Sequence, residues 1–304
     1  MQSLPSGAFN KDAVHHCHPM PTATTETERF IFRFGNVEYA FSTRTHIMGI
    51  LNVTPDSFSD GGRYSTTKKA VAFALKMVED GADFIDIGGE STRPGSNEVP
   101  IEEELRRVMP VIEQLAKRTS IPISVDTYKS QVAEKALNAG ATIVNDISGG
   151  TFDSQMFDVI REHHASVILM HMKGTPKTMQ EHPAYENVTK EVYQFLAEQA
   201  QKARAKGIQQ IIVDPGIGFG KNLQHNVQLL KELSTLKAIG CPVLVGPSRK
   251  SFIGAILDLP VSERLEGTAA AVTASILNGA HLVRVHDVKE MKRVAKMADA
   301  LKAV

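Results

Sequence analysis

The feature that most limits what this chain can fold into is a repeated unit: a short apolar run, a helical stretch, then a glycine before the next run. The runs are His46–Leu51, Phe84–Ile87, Ile123–Val125, Thr142–Val144, Ser166–Met170, Ile211–Val213, Val243–Val245 and Leu282–Val285. Each is too short for a helix, and most are β-branched or bulky, as parallel strands buried on both faces are. Helical periodicity fills the gaps. Lys68 to Glu79 puts Val71, Leu75 and Val78 on one face, and Glu102 to Lys117 puts Leu105, Val108, Ile112 and Leu115 together. Lys190 to Lys206 and Gln224 to Leu236 are further examples. Gly81, Gly140, Gly207, Gly240 and Gly279 each stand just before a strand, where a helix needs a C-terminal stop. Eight strands alternating with helices predict an α/β fold, a closed (β/α)8 TIM barrel; a doubly wound open sheet is the alternative.

Ahead of the repeats, Phe30 to Phe34 and Val37 to Phe41 alternate in polarity around Gly35-Asn36. This predicts an N-terminal β-hairpin, placed to close the barrel's lower end. No composition break divides the chain after Phe30, so one barrel domain is expected over residues 29–304. Residues 1–28 are rich in Ser, Thr, Pro, Gly and His, lack the apolar core of a signal peptide, and read as a poorly ordered extension. His15, His16, Cys17 and His18 lie there, but adjacent ligands on a loose segment make a poor metal site. The 34 basic and 34 acidic residues cancel, which argues against a bulk design for nucleic acid or membrane surfaces. No apolar run nears the roughly 18 residues of a membrane span. Cys17 and Cys241 are the only cysteines, so no disulfide framework holds the fold, which is compatible with the cytoplasm.

In such a barrel the chemistry sits at the C-terminal ends of the strands. Asn52 comes after the first run, Gly88-Gly89-Glu90-Ser91-Thr92-Arg93-Pro94-Gly95 after the second, Asp126 after the third, and Asn145-Asp146 after the fourth. His171 comes after the fifth, Asp214-Pro215-Gly216-Ile217-Gly218-Phe219-Gly220 after the sixth, and Gly246-Pro247-Ser248-Arg249-Lys250-Ser251 after the seventh; Arg284 and His286 close the eighth. Each alone has an ordinary structural reading: Asp126 as a helix cap, Asp214 before Pro215 as a turn, the glycines as turn formers. Their gathering at one rim favours a site. Asp126, Asn145 and Asp214 offer acceptors and amide donors suited to a flat, nitrogen-rich heterocycle. Lys250 and Arg284 suit an anion or a ring carbonyl, and Asn52 and His286 suit an oxyanion or a Mg2+ site completed by phosphate and water.

Seven ordered blocks carry a family resemblance. They are Ile47 to Gly62, Asp86 to Gly95, Val125-Asp126-Thr127, Asn145 to Gly150, Asp214 to Phe219, Ser248 to Ser251 and Arg284 to Val288. Over about residues 46 to 300 the chain resembles the dihydropteroate synthases. These are barrel enzymes, typically homodimers, that join 6-hydroxymethyl-7,8-dihydropterin diphosphate to p-aminobenzoate, giving 7,8-dihydropteroate and pyrophosphate. The resemblance implies that Asp126, Asn145, Ile147, Met170, Asp214, Gly218 and Lys250 hold the pterin. It assigns the diphosphate to Asn52, Arg93, Arg284 and His286, with Asn52 a ligand of Mg2+. It assigns p-aminobenzoate to Phe58, Thr92, Pro94, Phe219, Lys250 and Ser251, and the chemistry to Asp56, Asp60, Lys250 and Arg284. One small departure is Asn222, where a hydroxyl residue is common in the family. Two rival readings share the pterin residues: a methyltetrahydrofolate-dependent methyltransferase, and a pterin-binding paralogue without turnover.

Overall fold

A computed structural model describes residues 30–35, 37–54 and 62–303, without the side chains of residues 62–66. The N-terminal extension, Asn36, and Asp56, Phe58 and Asp60 lie outside the described residues. An antiparallel hairpin, β1 (Ile31–Phe34) and β2 (Val37–Ala40), comes first. The barrel strands are β3 (His46–Asn52), β4 (Phe84–Gly88), β5 (Ile123–Asp126), β6 (Ile143–Asp146), β7 (Ser166–Met170), β8 (Ile211–Asp214), β9 (Leu244–Val245) and β10 (Leu282–Val285). Between and after them run α1 (Gly62–Glu79), α2 (Ile101–Leu115), α3 (Ser130–Asn138), α4 (Met156–Glu162), α5 (Val188–Ala205), α6 (Leu223–Lys231), α7 (Ser251–Leu257), α8 (Leu265–Leu277) and α9 (Val288–Lys302).

The eight strands pair in parallel in the order β8-β7-β6-β5-β4-β3-β10-β9. Val213 of β8 bridges to Val243, and its N–H donates to Pro242 O at 3.0 Å. That contact joins the two ends of the sheet, so the ring is closed and the open-sheet alternative falls. The β9 pairing is short because Pro242 has no N–H to give and Pro247 comes soon after. The five predicted stop glycines all take positive φ, from 69° at Gly240 to 111° at Gly140. The helix expected over Gln224 to Leu236 ends at Lys231 and continues as a 3-10 segment, Leu233–Ile239. Glu232, whose carboxylate accepts from Thr189 Oγ1 at 2.7 Å, leaves helical geometry there. No helix among the described residues is long and apolar enough to cross a membrane.

Two apolar layers hold the fold. One lies between the outer faces of the strands and the helices; the other plugs the barrel floor. In the floor, Phe32, Phe34 and Phe41 of the hairpin segment pack on Met48, Phe84, Ile143, Ile168, Ile212, Leu244 and Leu282. Each such side chain fully buried contributes about 1.5–3 kcal/mol. The hairpin therefore closes the N-terminal mouth, as the alternating aromatics predict.

Strand side chains alternate faces, so two residues beyond each floor residue the chain again points inward. Those positions are Ile50, Asp86, Asn145, Met170, Asp214, Gly246 and Arg284. The floor is apolar and the next layer up is largely polar. A layer of charge sits directly over a dry plug, at the mouth that the hairpin leaves open.

Candidate active site

Arg284 organises this layer. Its Nε donates to Asp86 Oδ2 at 2.6 Å and its terminal nitrogen to Asp126 Oδ2 at 2.7 Å. Asn145 Nδ2 donates to the same Asp86 oxygen at 3.0 Å, reaching across β5 over the small Ser124. Asp86 is fully buried, and its other oxygen has no partner among the described residues. Arg284 thus bonds Asp126 directly and meets Asn145 at Asp86, a carboxylate that the strand-end pattern of the sequence does not assign to the site.

Asp214 closes the other side. One of its oxygens accepts from Gly216 N–H at 2.7 Å, where Gly216 takes a φ of 67° with His171 O close against it. A Cβ on Gly216 would come within 1.9 Å of that carbonyl oxygen, so only glycine fits. Burial pushes the Asp214 carboxyl up to about 6, opposed by the Gly216 hydrogen bond and then by Lys250, Arg284 and Lys221. Burial also pushes Asp126 up, against the Arg284 guanidinium, with the neighbouring Asp86 adding to the rise.

Lys250 arrives from a turn in which Arg249 adopts a left-handed φ of 56°. That strain is held by Arg249's fork on the Asp287 carboxylate and by its N–H on Thr268 Oγ1 at 3.1 Å. Arg249 is therefore engaged in positioning, and Lys250 is turned inward. Lys250 Nζ lies 4.1 Å above the Phe219 ring centroid, a cation–π distance. Burial, then Arg284, pulls its ammonium down to about 8. Gly218 leaves it space, because a Cβ there would meet Lys250 Cδ at 3.1 Å.

A second buried lysine is not singled out by the sequence. Lys221 Nζ meets three acceptors: His171 Nδ1 at 3.0 Å, His171 O at 3.2 Å and Phe219 O at 2.9 Å. It ties the loop after β8 to the end of β7 and holds Phe219 in place. Burial draws its ammonium down to about 7 and Asp214 opposes that. The layer then balances three carboxylates (Asp86, Asp126, Asp214) against three cations (Arg284, Lys250, Lys221). Asn222, which replaces the family's common hydroxyl residue, is the N-cap of α6 and accepts from His225 N–H at 2.8 Å, a task any Ser or Thr would share.

The apolar wall is a separate cluster of Ile147, Met170, Met179 and Phe219, edged by Tyr128 and Met172. Three of these four core residues are expected site residues. The polar edge and this wall together suit a flat heterocycle with several N–H groups. His286 stands beside the layer with Nδ1 3.0 Å from Ser248 Oγ. Burial, then Arg284, keeps its imidazole neutral, down to about 4. Asn52 ends β3 opposite Gly88 and is half-buried at the rim. Ser251 starts α7 and is exposed. Thr92, Arg93 and Pro94 lie on the loop after β4, the last two exposed, and Gly95 N–H donates to Pro176 O at 3.0 Å.

Comparison with known proteins decides between the rival pterin readings. The model of the pterin binding enzyme family matches residues 48–286, which alone would fit either a synthase or a methyltransferase. The dihydropteroate synthase of Synechocystis sp. is 50% identical over 270 residues, covering 88% of this chain and 93% of that protein. The chain belongs to the dihydropteroate synthases. It is a transferase, and the methyltransferase reading is set aside. The structure of the Yersinia pestis dihydropteroate synthase in a sulfonamide drug complex superposes with a TM-score of 0.85 at 42% identity, covering 90% of this chain and 100% of that one. The Xanthomonas albilineans dihydropteroate synthase in complex with 7,8-dihydropteroate gives 0.81 at 41% identity, covering 90% and 99%.

Proposed function

We propose a division of labour for the condensation of 6-hydroxymethyl-7,8-dihydropterin diphosphate with p-aminobenzoate. The pterin's aminopyrimidinone edge donates to Asp214 and Asp126 and pairs with Asn145; Ile147, Met170 and Gly218 flank the ring, and Lys250 meets its carbonyl side. Arg284, the His286 imidazole, Arg93 and Asn52 take the diphosphate. Thr92, Pro94, Phe219, Lys250 and Ser251, with Phe58, surround p-aminobenzoate. The single observation that carries this reading is the joined set Asp126–Arg284–Asp86–Asn145, which aims acceptors, an amide and a guanidinium into one mouth.

Among the described residues no group of three or more His, Cys, Asp or Glu side chains could hold a metal. A half-buried amide oxygen such as that of Asn52 fits Mg2+ that arrives with diphosphate and keeps its waters, and fits little else. Bound there, Mg2+ would neutralise charge on the leaving group. The chain's own groups do the rest. Arg284 and an N–H of neutral His286 receive the negative charge that grows on the departing diphosphate as its bond to the pterin methylene breaks. The family resemblance assigns to Asp56 and Asp60 the stabilisation of positive charge on the methylene. The neutral aniline nitrogen of p-aminobenzoate then forms the new bond and loses its proton. Water must be excluded, because it would capture the same cation.

The expected products are 7,8-dihydropteroate and one pyrophosphate per turnover; a chain that turns over neither substrate would remove the reading. Asn52→Ala is expected to lower kcat about tenfold or more while pterin affinity changes under about twofold. A wild-type rate with wild-type Mg2+ dependence would take the ion away from Asn52. Because Arg93 and Pro94 stand exposed, the aminobenzoate pocket has to be drawn together on binding. Calorimetry should show p-aminobenzoate binding at least about tenfold more tightly with a pterin, Mg2+ and pyrophosphate present than without them. Equal affinity would mean a preformed pocket. A homodimer also forms part of this reading. Exposed Ile256, Leu257, Val261, Leu277 and Leu301 on α7, α8, α9 and the turn between them suit a second copy, and sedimentation measures it. The cytoplasm suits a chain whose described cysteine, Cys241, is a buried thiol that accepts from Arg204 at 3.0 Å.

A further inference from the structure

The loop after β4, residues 89–100, is held at its neck by one buried ammonium that takes no part in the site above. Lys129 Nζ donates to Glu90 at the start of the loop, to Val99 O at its end at 2.6 Å, and to Glu104 Oε2 in α2 at 2.7 Å. All three N–H groups are used, and each goes to a different part of the neck. Tyr128 OH donates to the other oxygen of Glu90 at 2.8 Å, and Arg107 donates to Gly89 O at 2.7 Å. Gly89 itself is pressed on α2, where a Cβ would meet Val108 Cγ1 at 2.8 Å and Glu104 O at 3.1 Å. The Lys129 and Glu90 side chains are 9% and 6% exposed and that of Glu104 1%, so these bonds are made away from water.

Lys129 does not belong to the loop it holds. It stands three residues after Asp126, on the segment leaving β5. Thr127 Oγ1 accepts from Lys129 N–H at 3.2 Å, and Thr127 N–H donates to Asn145 O at 3.1 Å. The backbone that carries Asp126, and that is hydrogen-bonded to Asn145, therefore also carries the clamp on the loop bearing Thr92, Arg93 and Pro94. In this buried cluster every N–H of the ammonium is used, while Glu104 Oε1 has no partner among the described residues; such a cluster fixes geometry more than it adds stability.

We propose that Lys129 is a positioning residue that closes the neck of the 89–100 loop and so sets the affinity for p-aminobenzoate without touching it. This rests on the assignment of Thr92 and Pro94 to the aminobenzoate pocket. Losing the clamp chiefly removes p-aminobenzoate binding that is the same in ground and transition states, which raises KM. Lys129→Met is expected to raise KM for p-aminobenzoate about tenfold, with pterin Kd within about twofold and, because Arg93 rides on the same loop, a smaller fall in kcat. Lys129→Arg, which keeps the charge and a fork of donors, should recover most of the loss. Glu90→Gln keeps the shape and relieves the excess of acid in the cluster, so it is the milder variant; it should move KM in the same direction by a smaller factor. Amide hydrogen exchange over residues 89–100 separates loop order from substrate affinity, because it reads the loop with no substrate present. Faster exchange there in both variants, together with a raised KM, supports the proposal. Unchanged loop exchange in Lys129→Met and Glu90→Gln overturns it. Faster exchange with an unchanged KM also overturns the claim on affinity, and places the fault in the assignment of the loop to p-aminobenzoate. Equal losses in kcat and pterin binding would make the lysine merely structural and overturn it as well.

Discussion

Replacing Arg284 with Met is expected to lower kcat/KM by about a thousandfold, the upper end of what loss of one anion-stabilising donor costs. Two effects combine. The departing diphosphate loses its buried guanidinium, and Asp86 and Asp126 lose their only direct cation among the described residues. An uncompensated buried carboxylate costs about 3–5 kcal/mol, unless it takes a proton instead. With Asp126 already pushed up by burial, protonation is the easier escape. A protonated Asp126 is a poorer acceptor for a ring N–H, so pterin affinity should fall with the rate. Arg284→Lys keeps the charge but not the fork that spans two carboxylates, and should recover the loss only in part. Steady-state kinetics and urea unfolding together check this. A near-normal rate in Arg284→Met would mean that the guanidinium serves only the packing of the layer.

Much of this is legible in the sequence because parallel barrel strands leave strong local marks. Buried strands read as short apolar runs, and each helix stop needs a residue free to take positive φ. The hairpin's alternating phenylalanines show which mouth is plugged. The rim residues Asp126, Asn145 and Asp214 stand at the strand ends, where a barrel places its chemistry. Asp86 escapes a search of the strand ends, because it lies within a strand. It does carry a signal: a lone carboxylate in Phe84-Ile85-Asp86-Ile87, two residues beyond a floor phenylalanine, has to point inward with it. Lys221 and Lys129 carry no such mark. Their roles depend on which distant carbonyls and carboxylates the fold brings to them, and neither period nor spacing encodes that. The expected pairing of Arg284 with diphosphate alone also misses its two carboxylate partners, which come from β4 and β5 far earlier in the chain.

Asp214→Asn is the second large effect expected. The amide oxygen can still accept from Gly216 N–H, so the turn and the barrel should survive. What is lost is a charged acceptor for a donor pair in a dry pocket. An amide there presents its own N–H groups to those of the ring, and unpaired buried donors cost about 1–3 kcal/mol. That corresponds to about 5- to 150-fold in affinity. Acid should act the same way on the unaltered chain. With its carboxyl pushed up to about 6, Asp214 is mostly ionised at neutral pH, and pterin affinity should fall as pH drops through that value. The measurement that bears most directly on the pterin site is therefore a calorimetric titration of a pterin into the wild-type chain and Asp214→Asn above pH 7, beside their thermal midpoints. Clear binding to the wild type is expected, with affinity for the variant lower by about tenfold or more and closely matching midpoints. Equal affinities for the two proteins would contradict it, because the charged layer at the barrel mouth would then not be the pterin site.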